Sequence, residues 1–368
     1  MGARGFFGGL FGNVNSSQDS AVPAMQSGVY SLDDQYASKR EGGWFVPMTG
    51  TVTGGTIYPG VSIDGNPYNI HKFTHPNSAT LVISGSGGSG AINQIDITLV
   101  GGGGGAGAWA NNYAGGGGGG GGVRHAQGIQ LIDGTYPITV GDGGAGAPPG
   151  PTPATNKGEA GESTIFNNPD GNSYPKITAT GGGYGGVAGG RGGPGGSGGG
   201  KSYPNDPGSP DLGNAGGDDP RCTPEKEGYD SMYPGYSRPA GANWRCGGGG
   251  GAGTGITYPG PTPASNKYMV GANGLTIPRL GAPGDPWLPT AGNVFGGGGG
   301  GSSYKEANGN GPGGTGGGGY AGSPNDDDAT ANTGGGGGGA GQSPDSGGNG
   351  GEGIVYVRVP GANTSNPG

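Results

Sequence analysis

Hydrophobic side chains alternate with polar ones in only a few short runs of this chain, as they do in half-buried β-strands. The run QIDITLV, residues 94–100, places two isoleucines and a leucine on one face, and GIVYVRV, residues 353–359, alternates in the same way. Segment 128–140 carries Asp133-Gly134 between two apolar runs, which predicts a β-hairpin. The hydrophobic pattern therefore predicts short strands on either side of a long region without such a pattern.

The region between these strands is built largely from glycine. The 368 residues include 104 glycines and 32 prolines, and only 29% of the residues are hydrophobic, which is too few for a large apolar core. Such a composition is typical of disordered chains, but those are usually rich in charge, and here only 11% of residues are charged. The chain contains eight uninterrupted glycine blocks: Gly101–Gly105, Gly115–Gly122, Gly181–Gly183, Gly198–Gly200, Gly247–Gly251, Gly296–Gly301, Gly316–Gly319 and Gly334–Gly339.

Uninterrupted glycine permits a structure that other residues cannot form. Glycine adopts the polyproline II helix, which has three residues per turn and no internal hydrogen bonds, so its N–H and C=O groups point outward. Neighbouring helices can satisfy one another's backbone groups when no contact position carries a Cβ atom. We therefore predict a mainly β protein with little helix, in which short β-strands cap a bundle or sandwich of polyglycine II helices joined by long Pro- and Gly-rich loops.

Composition divides the chain into three predicted regions. Residues 1–43 are predicted to be an N-terminal docking segment with one short helix at about 32–41, between a capping-box-like start and a pair of glycines. Residues 44–92 are predicted to form a small β region. The glycine-rich domain takes up residues 93–368, with loop inserts at about 202–246 and 252–295.

The N-terminal segment contains the apolar stretch GFFGGLF, in which Phe6, Phe7, Leu10 and Phe11 lie together. One interpretation is an ordinary core strand. The other is an anchor peptide that inserts into a groove of a partner protein, because so apolar a terminus is costly to leave exposed to water.

Aromatic residues are concentrated in the first insert. Cys222 and Cys246 bracket the aromatic-rich part of this insert. A disulfide between them would stabilise the fold by roughly 3 kcal/mol in the chain-entropy model. We expect the aromatic side chains either to contact a receptor or another subunit, or to cover the edge of the glycine helices. The candidate contact residues are Tyr229, Tyr233, Tyr236 and Trp244 in the first insert and Trp287 in the second.

The inventory of catalytic groups is small. His71 and His75 are four residues apart, a spacing that would suit zinc binding only if both lay on a helix. Pro76 argues against a helix at this place. The run NDDD, residues 325–328, lacks the ligand spacing of an EF-hand and is read as a solvated acidic loop. We therefore expect no enzyme activity, no cofactor and no metal. The net charge of −8 disfavours nucleic acid, and no window is long and apolar enough to span a membrane.

Several stretches together resemble a known group of proteins. ITLVGGGGGAGAW, AGGGGGGGGV, GTYPITVGDGG and GGNGGEGIVYVRVP resemble the glycine-rich virion proteins of tailed bacteriophages, including tail-fibre and adhesin-type components. GVYSLDDQYASKREGGW is similar to a segment near the start of many phage structural proteins. The resemblance covers roughly residues 94–359, and the long inserts rich in Pro and Asp depart from a minimal tip adhesin.

The resemblance implies a non-enzymatic virion protein, assembled in the host cytoplasm. The favoured version is a tail-fibre or tail-associated component that contacts a glycan or protein of the host surface. The alternatives are a decoration or appendage protein of the capsid or tail, and a cellular extracellular fibre or matrix protein. The implied partners are other virion proteins, bound through the N-terminal segment, and further copies of the chain, because virions are built from repeated copies.

Overall fold

The computed structural model describes residues 50–63, 66–76, 79–85, 93–109, 114–150, 157–167, 176–187, 190–202, 228, 246–253, 270–276, 294–302, 310–322, 327–341 and 345–361. None of these residues is helical, and the predicted N-terminal helix lies outside them. The described residues form twelve strands: β1 (Thr51–Thr53), β2 (Thr56–Ile63), β3 (Asn66–Thr74), β4 (Ala79–Ser84), β5 (Asn93–Val100), β6 (Val123–Leu131), β7 (Gly134–Thr139), β8 (Thr164–Phe166), β9 (Ile177–Ala179), β10 (Leu275–Thr276), β11 (Val294–Phe295) and β12 (Ile354–Pro360).

The strands form two five-stranded antiparallel sheets and one two-stranded pair. The first sheet has the order β1-β4-β7-β8-β9, the second has the order β2-β3-β12-β5-β6, and β10 pairs with β11. Strands from residues 51–84 and strands from the glycine-rich region share both large sheets, because β4 pairs with β7 and β3 pairs with β12. The prediction of a mainly β protein with little helix is confirmed for the described part of the chain.

The two large sheets pack against each other around one apolar core. The predicted face of β5 enters this core through Ile95, Ile97 and Leu99, all 1% exposed or less. The central strand β12 alternates as predicted, with Val355 and Val357 in the same core and Tyr356 on the opposite face of its sheet. These two strands were predicted from their alternation, and both are confirmed.

The predicted hairpin around Asp133-Gly134 is wrong. Strands β6 and β7 do not pair with each other, because β6 pairs with β5 in the second sheet and β7 pairs with β4 in the first. The Asp133 carboxylate accepts a hydrogen bond from the Gly85 backbone N–H at 3.0 Å, at the end of β4. The turn therefore carries the chain from one sheet to the other and sets β7 beside β4.

The glycine blocks continue directly from strand ends and form a second body, which we call the glycine bundle. Residues 101–107 follow β5, residues 115–122 precede β6, and residues 334–340 lie beside both as a third central segment. Every residue of these three segments is buried. A region almost without side chains is thus as thoroughly enclosed as the sandwich core.

The hydrogen bonds of the bundle repeat every three residues. The N–H groups of Gly101, Gly104 and Gly107 donate to the carbonyls of Gly122, Gly119 and Gly116, at 2.9–3.0 Å. Three residues per turn is the period of the polyproline II helix, so the pattern has the period that the polyglycine II interpretation requires.

Each turn of segment 101–107 engages six surrounding segments. Its remaining N–H groups donate to segments 159–162 and 348–351, and its carbonyls accept from segments 144–147, 182–185 and 337–340. A Cβ atom added to Gly104 would lie only 2.1 Å from the carbonyl oxygen of Gly183. Side chains are excluded here because neighbouring backbones occupy the space that they would need.

Side chains return in the outer segments, at every third position. In SGGNGGEG, the non-glycine residues Ser346, Asn349 and Glu352 face outward, while the glycines between them contact inner segments. Pro312 and Thr315 are exposed with the same spacing in another outer segment. Uninterrupted glycine therefore marks the interior of the bundle, and glycine with one side chain in three marks its surface.

Candidate functional site

The glycine bundle has two distinct ends. At the sheet end, Gly101 and Gly122 meet beside β5 and β6, and Gly121 donates to the carbonyl of Gly334. At the far end, the N–H of Gly107 donates to the carbonyl of Gly116, and Ala340 donates to Gly107. The two ends differ, because the sheet end continues into strands, whereas the described residues at the far end lead to gaps.

The residues that flank most gaps in the glycine-rich region lie at the far end. Seven gaps between described residues begin and end there, because the residues that flank them bond to the far parts of the central segments. The insert that contains most of the predicted contact residues is one of them, since Ser202 and Cys246 both lie at this end. The seven gaps are 110–113, 151–156, 188–189, the span 203–245 apart from Gly228, 303–309, 323–326 and 342–344.

Small polar side chains close the far end. Ser202 Oγ donates to the carbonyl of Ala114 at 3.0 Å, and Cys246 Sγ contacts the same carbonyl at 2.9 Å. Ser302 Oγ is 2.9 Å from the carbonyl of Gly115 and 2.6 Å from that of Ala340. These contacts satisfy carbonyls at the ends of two central segments, where the glycine pattern stops.

The same contacts bring the two ends of the first insert together. Cys246 Sγ lies 3.5 Å from Ser202 Oγ, and the backbone N–H of Gly247 donates to the carbonyl of Lys201. The insert therefore leaves and re-enters the bundle at one place. The predicted contact residues Tyr229, Tyr233, Tyr236 and Trp244 lie outside the described residues, as does Cys222, so the Cys222–Cys246 disulfide stays a prediction.

The second insert starts from the opposite end. Strands β10 and β11, which flank the gap 277–293 that contains Trp287, lie at the sheet end beside Val123 and Tyr356. The structure thus brings the flanks of the two inserts to different ends of the bundle. The predicted anchor residues Phe6, Phe7, Leu10 and Phe11 also lie outside the described residues.

A family model supports the glycine-rich character of this architecture. The model for a glycine-rich domain matches residues 88–360, which is most of the chain. The chain belongs to the glycine-rich domain family. The matched region of this glycine-rich domain spans the whole glycine bundle and ends at the last residue of β12. No curated protein matches the chain.

The outer face of the second sheet, which carries Tyr356, also carries a polar cluster that includes buried residues. Arg358 of β12 and Asp96 of β5 form an ion pair in which Arg358 Nε donates to Asp96 Oδ2 at 2.8 Å. The Arg358 guanidinium also lies over the Tyr68 ring, 5.0 Å from its centroid. His125 Nδ1 is 2.8 Å from Thr98 Oγ, and His125 is only 6% exposed.

Burial sets the protonation of this histidine. Desolvation lowers the pKa of His125 from 6.5 to about 4, partly offset by attraction to the Asp96 carboxylate and reinforced by repulsion from Arg358. His125 is therefore neutral at pH 7. In that state it holds β6 to β5 through Thr98, next to the ion pair that joins β5 to β12.

Of the two histidines considered for zinc, His71 lies on β3 and His75 directly follows that strand. His71 is buried on β3, with Nδ1 2.8 Å from the carbonyl oxygen of Gly54, and burial lowers its pKa. His75 Nε2 lies 3.5 Å from a carboxylate oxygen of Asp142. Within the described ranges, no three His, Cys, Asp or Glu side chains are grouped closely enough to hold a metal ion. The same ranges contain no helix that could cross a bilayer.

Part of the predicted acidic loop lies against the outer bundle. Burial raises the pKa of Asp327 to about 6, with smaller contributions from the carboxylates of Asp328 and Asp345. Asp328 Oδ1 accepts a hydrogen bond from the backbone N–H of Asn349 at 2.7 Å. These carboxylates belong to two neighbouring outer segments and are not solely a solvated loop.

The far-end residues have a recognisable signal in the sequence. Ala114, Cys246, Ser302 and Ala340 each stand directly beside a glycine block of five or more residues, and Ser202 follows the shorter block Gly198–Gly200 after one lysine. A small or polar residue there fits beside neighbouring backbones and can bond to a terminal carbonyl. The position of the Asp96, His125 and Arg358 cluster carries no such signal, because it depends on the pairing of strands that are far apart in sequence.

Proposed function

We propose that this glycine-rich domain protein is a non-enzymatic structural component of a tailed-phage virion, namely a tail-fibre or tail-associated protein whose far end contacts the host surface. The observation that carries the proposal is that the residues flanking seven gaps lie at the far end of a bundle held by backbone hydrogen bonds. A body of this kind suits a display role, because its interior leaves no room for side chains and its connections can vary without disturbing it.

The composition of the first insert supports the same role. Its two ends are fixed beside Ala114, and it carries Tyr229, Tyr233, Tyr236 and Trp244 between them. Tyrosine and tryptophan give a large contact area at a small cost in conformational entropy, which suits the recognition of a glycan or a protein. We propose that these residues form the contact surface and that residues 5–11 attach the protein to the virion.

The flanks of the second insert give the other end of the bundle a different role. Since β10 and β11 lie at the sheet end, we propose that Trp287, which stands between them in the sequence, acts in contacts between copies of the chain rather than in host contact. Contacts between copies at the sheet end would build the homo-oligomer that is expected of a fibre component.

Immuno-gold electron microscopy of the source virions tests the proposal. An antibody against residues 222–246 should label the tips of tail fibres, and the same antibody after absorption with that peptide is the control. Label on the capsid or the tail shaft would favour a decoration protein. Virions without label would contradict the proposal and return the protein to the class of cellular fibre or matrix proteins.

A second experiment examines host contact directly. Changing Tyr233 and Trp244 to alanine should reduce adsorption of virions to host cells about tenfold or more, as expected for aromatic contact residues. Virion yield should stay unchanged if these residues act only in adsorption. Unchanged adsorption together with impaired assembly would instead show that the residues pack between copies.

A further inference from the structure

A single glycine within the first insert packs into the side of the bundle. Gly228 is buried, and a Cβ atom added to it would lie 2.1 Å from the carbonyl oxygen of Gly196 and 2.3 Å from Ser197 Oγ. Ser197 is itself completely buried, and its Oγ has no hydrogen-bond partner within the described ranges. The two residues therefore fit closely only because position 228 has no side chain.

This contact lies toward the sheet end, away from the place where the insert leaves the bundle. The N–H of Ser197 donates to the carbonyl of Gly120, and Gly196 lies beside Gly122, where β6 begins. Ser202, at the start of the insert, lies at the far end. Five residues at about 3.1 Å each separate Ser197 from Ser202 by roughly 15 Å along the bundle.

We infer that Gly228 is a positioning residue that attaches the first insert to the bundle and divides its sequence into two parts, 203–227 and 229–245. The second part contains Tyr229, Tyr233, Tyr236 and Trp244, and the residues that flank it, Gly228 and Cys246, both lie in the bundle. Closing a shorter loop costs less entropy than ordering the whole insert at once. The attachment point thereby limits where the aromatic residues can lie relative to the far end.

Limited trypsin digestion of the full-length protein tests the attachment. The bond after Lys226 lies two residues from Gly228 in the sequence, and the bond after Arg221 lies farther away in the first part of the insert. In Gly228→Ala, the rate of cleavage after Lys226 relative to that after Arg221 should rise about tenfold, because the loss of the attachment opens the chain locally. Both rates are normalised to the same sites in the urea-unfolded protein and followed by mass spectrometry.

The matched control is Gly361→Ala, whose added Cβ would lie 3.4 Å from the nearest atom, an ordinary contact distance. It should leave the cleavage ratio unchanged. An unchanged ratio in Gly228→Ala would overturn the inference. Loss of the cooperative thermal unfolding transition in Gly228→Ala would also overturn it, because Gly228 would then be an integral part of the bundle.

The role of this residue in host contact rests on the proposed function, and adsorption separates the two claims. If Gly228→Ala raises the cleavage ratio and lowers adsorption as Trp244→Ala does, both claims hold. If the ratio rises while neither variant affects adsorption, the attachment holds and the proposed contact role of the insert fails.

Discussion

In the sandwich, Ile97 and Val357 are buried by side chains of the facing sheet, whereas in the glycine bundle Gly104 and Gly118 are buried by carbonyl groups of neighbouring segments. The first region gains stability mainly by removing apolar surface from water. The second has almost no such surface and gains from hydrogen bonds that repeat every three residues. The difference shows that a chain with few hydrophobic residues can still enclose an interior, provided that its backbones approach closely enough to satisfy one another.

The two regions also depend on each other. Glycine segments have no side chains to fix their position along the bundle axis, but segments 101–107 and 115–122 continue from the paired strands β5 and β6. Phe295 and Ala252 pack with Val100 and Val123 where the bundle meets the second sheet. The sheets thus set the register of the segments, and the segments extend the sheets into a longer body.

The two regions should differ most in how a small change of side chain affects the free energy of unfolding. In Gly118→Ala the new Cβ would lie 2.0 Å from the carbonyl oxygen of Gly104, so we expect the free energy of unfolding to fall by more than about 4 kcal/mol. Ile97→Ala removes most of a fully buried side chain from the sandwich and should cost about 2–5 kcal/mol.

Urea unfolding followed by circular dichroism measures both changes. Gly361→Ala, at a position with ordinary contact distances, is the control and should change stability by less than about 0.5 kcal/mol. If Gly118→Ala lowered the free energy of unfolding as little as this control does, the central segments could not approach each other as closely as described here.

The sandwich should be the region that responds to acid. The pKa of His125 is lowered to about 4 in the folded protein, so its contribution to stability is complete above pH 6.5 and is lost as the pH falls toward 4. The loss is about 3 kcal/mol from the size of the shift. In His125→Gln the slope of stability against pH should flatten over this window, and His71, whose pKa is also lowered, contributes in the same direction.

The outer bundle should respond to pH in the opposite direction. The pKa of Asp327 is raised to about 6, so its contribution is most favourable at low pH and is lost as the pH rises from 3.8 through 6. Asp327→Asn should therefore raise the thermal unfolding temperature at pH 7.5 and have little effect below pH 4. Glu159→Gln makes the same charge change at an exposed position of another outer segment and is the control for the loss of one negative charge.

The variant with the smallest expected effect, Ser346→Ala, tests the three-residue period of the outer segments. Ser346 is exposed, whereas a Cβ atom at the next residue, Gly347, would lie 2.3 Å from the carbonyl oxygen of Ala106. Ser346→Ala should change stability by less than about 0.5 kcal/mol, and Gly347→Ala should be far more destabilising. Similar thermal unfolding temperatures for these two variants would contradict the assignment of one outward position in three.

The sequence was sufficient to predict β5 and β12, because each alternates clearly and is buried on the predicted face. It was insufficient for Asp133-Gly134, where local turn preference was overridden by the bond from Gly85 and the pairing of β7 with β4. The spacing of Ser346, Asn349 and Glu352 was visible and would have identified an outer segment. The location of the connections at the far end was not predictable, because glycine blocks carry no signal of direction.

Amide hydrogen exchange resolved to individual peptides tests the central claim most directly. If the bundle is held by backbone hydrogen bonds, the amides of residues 115–122 should exchange as slowly as those of β5, although exposed glycine amides exchange quickly. Exchange of 115–122 at the rate of an unstructured peptide, with β5 still protected, would contradict the account and leave the sandwich as the ordered region.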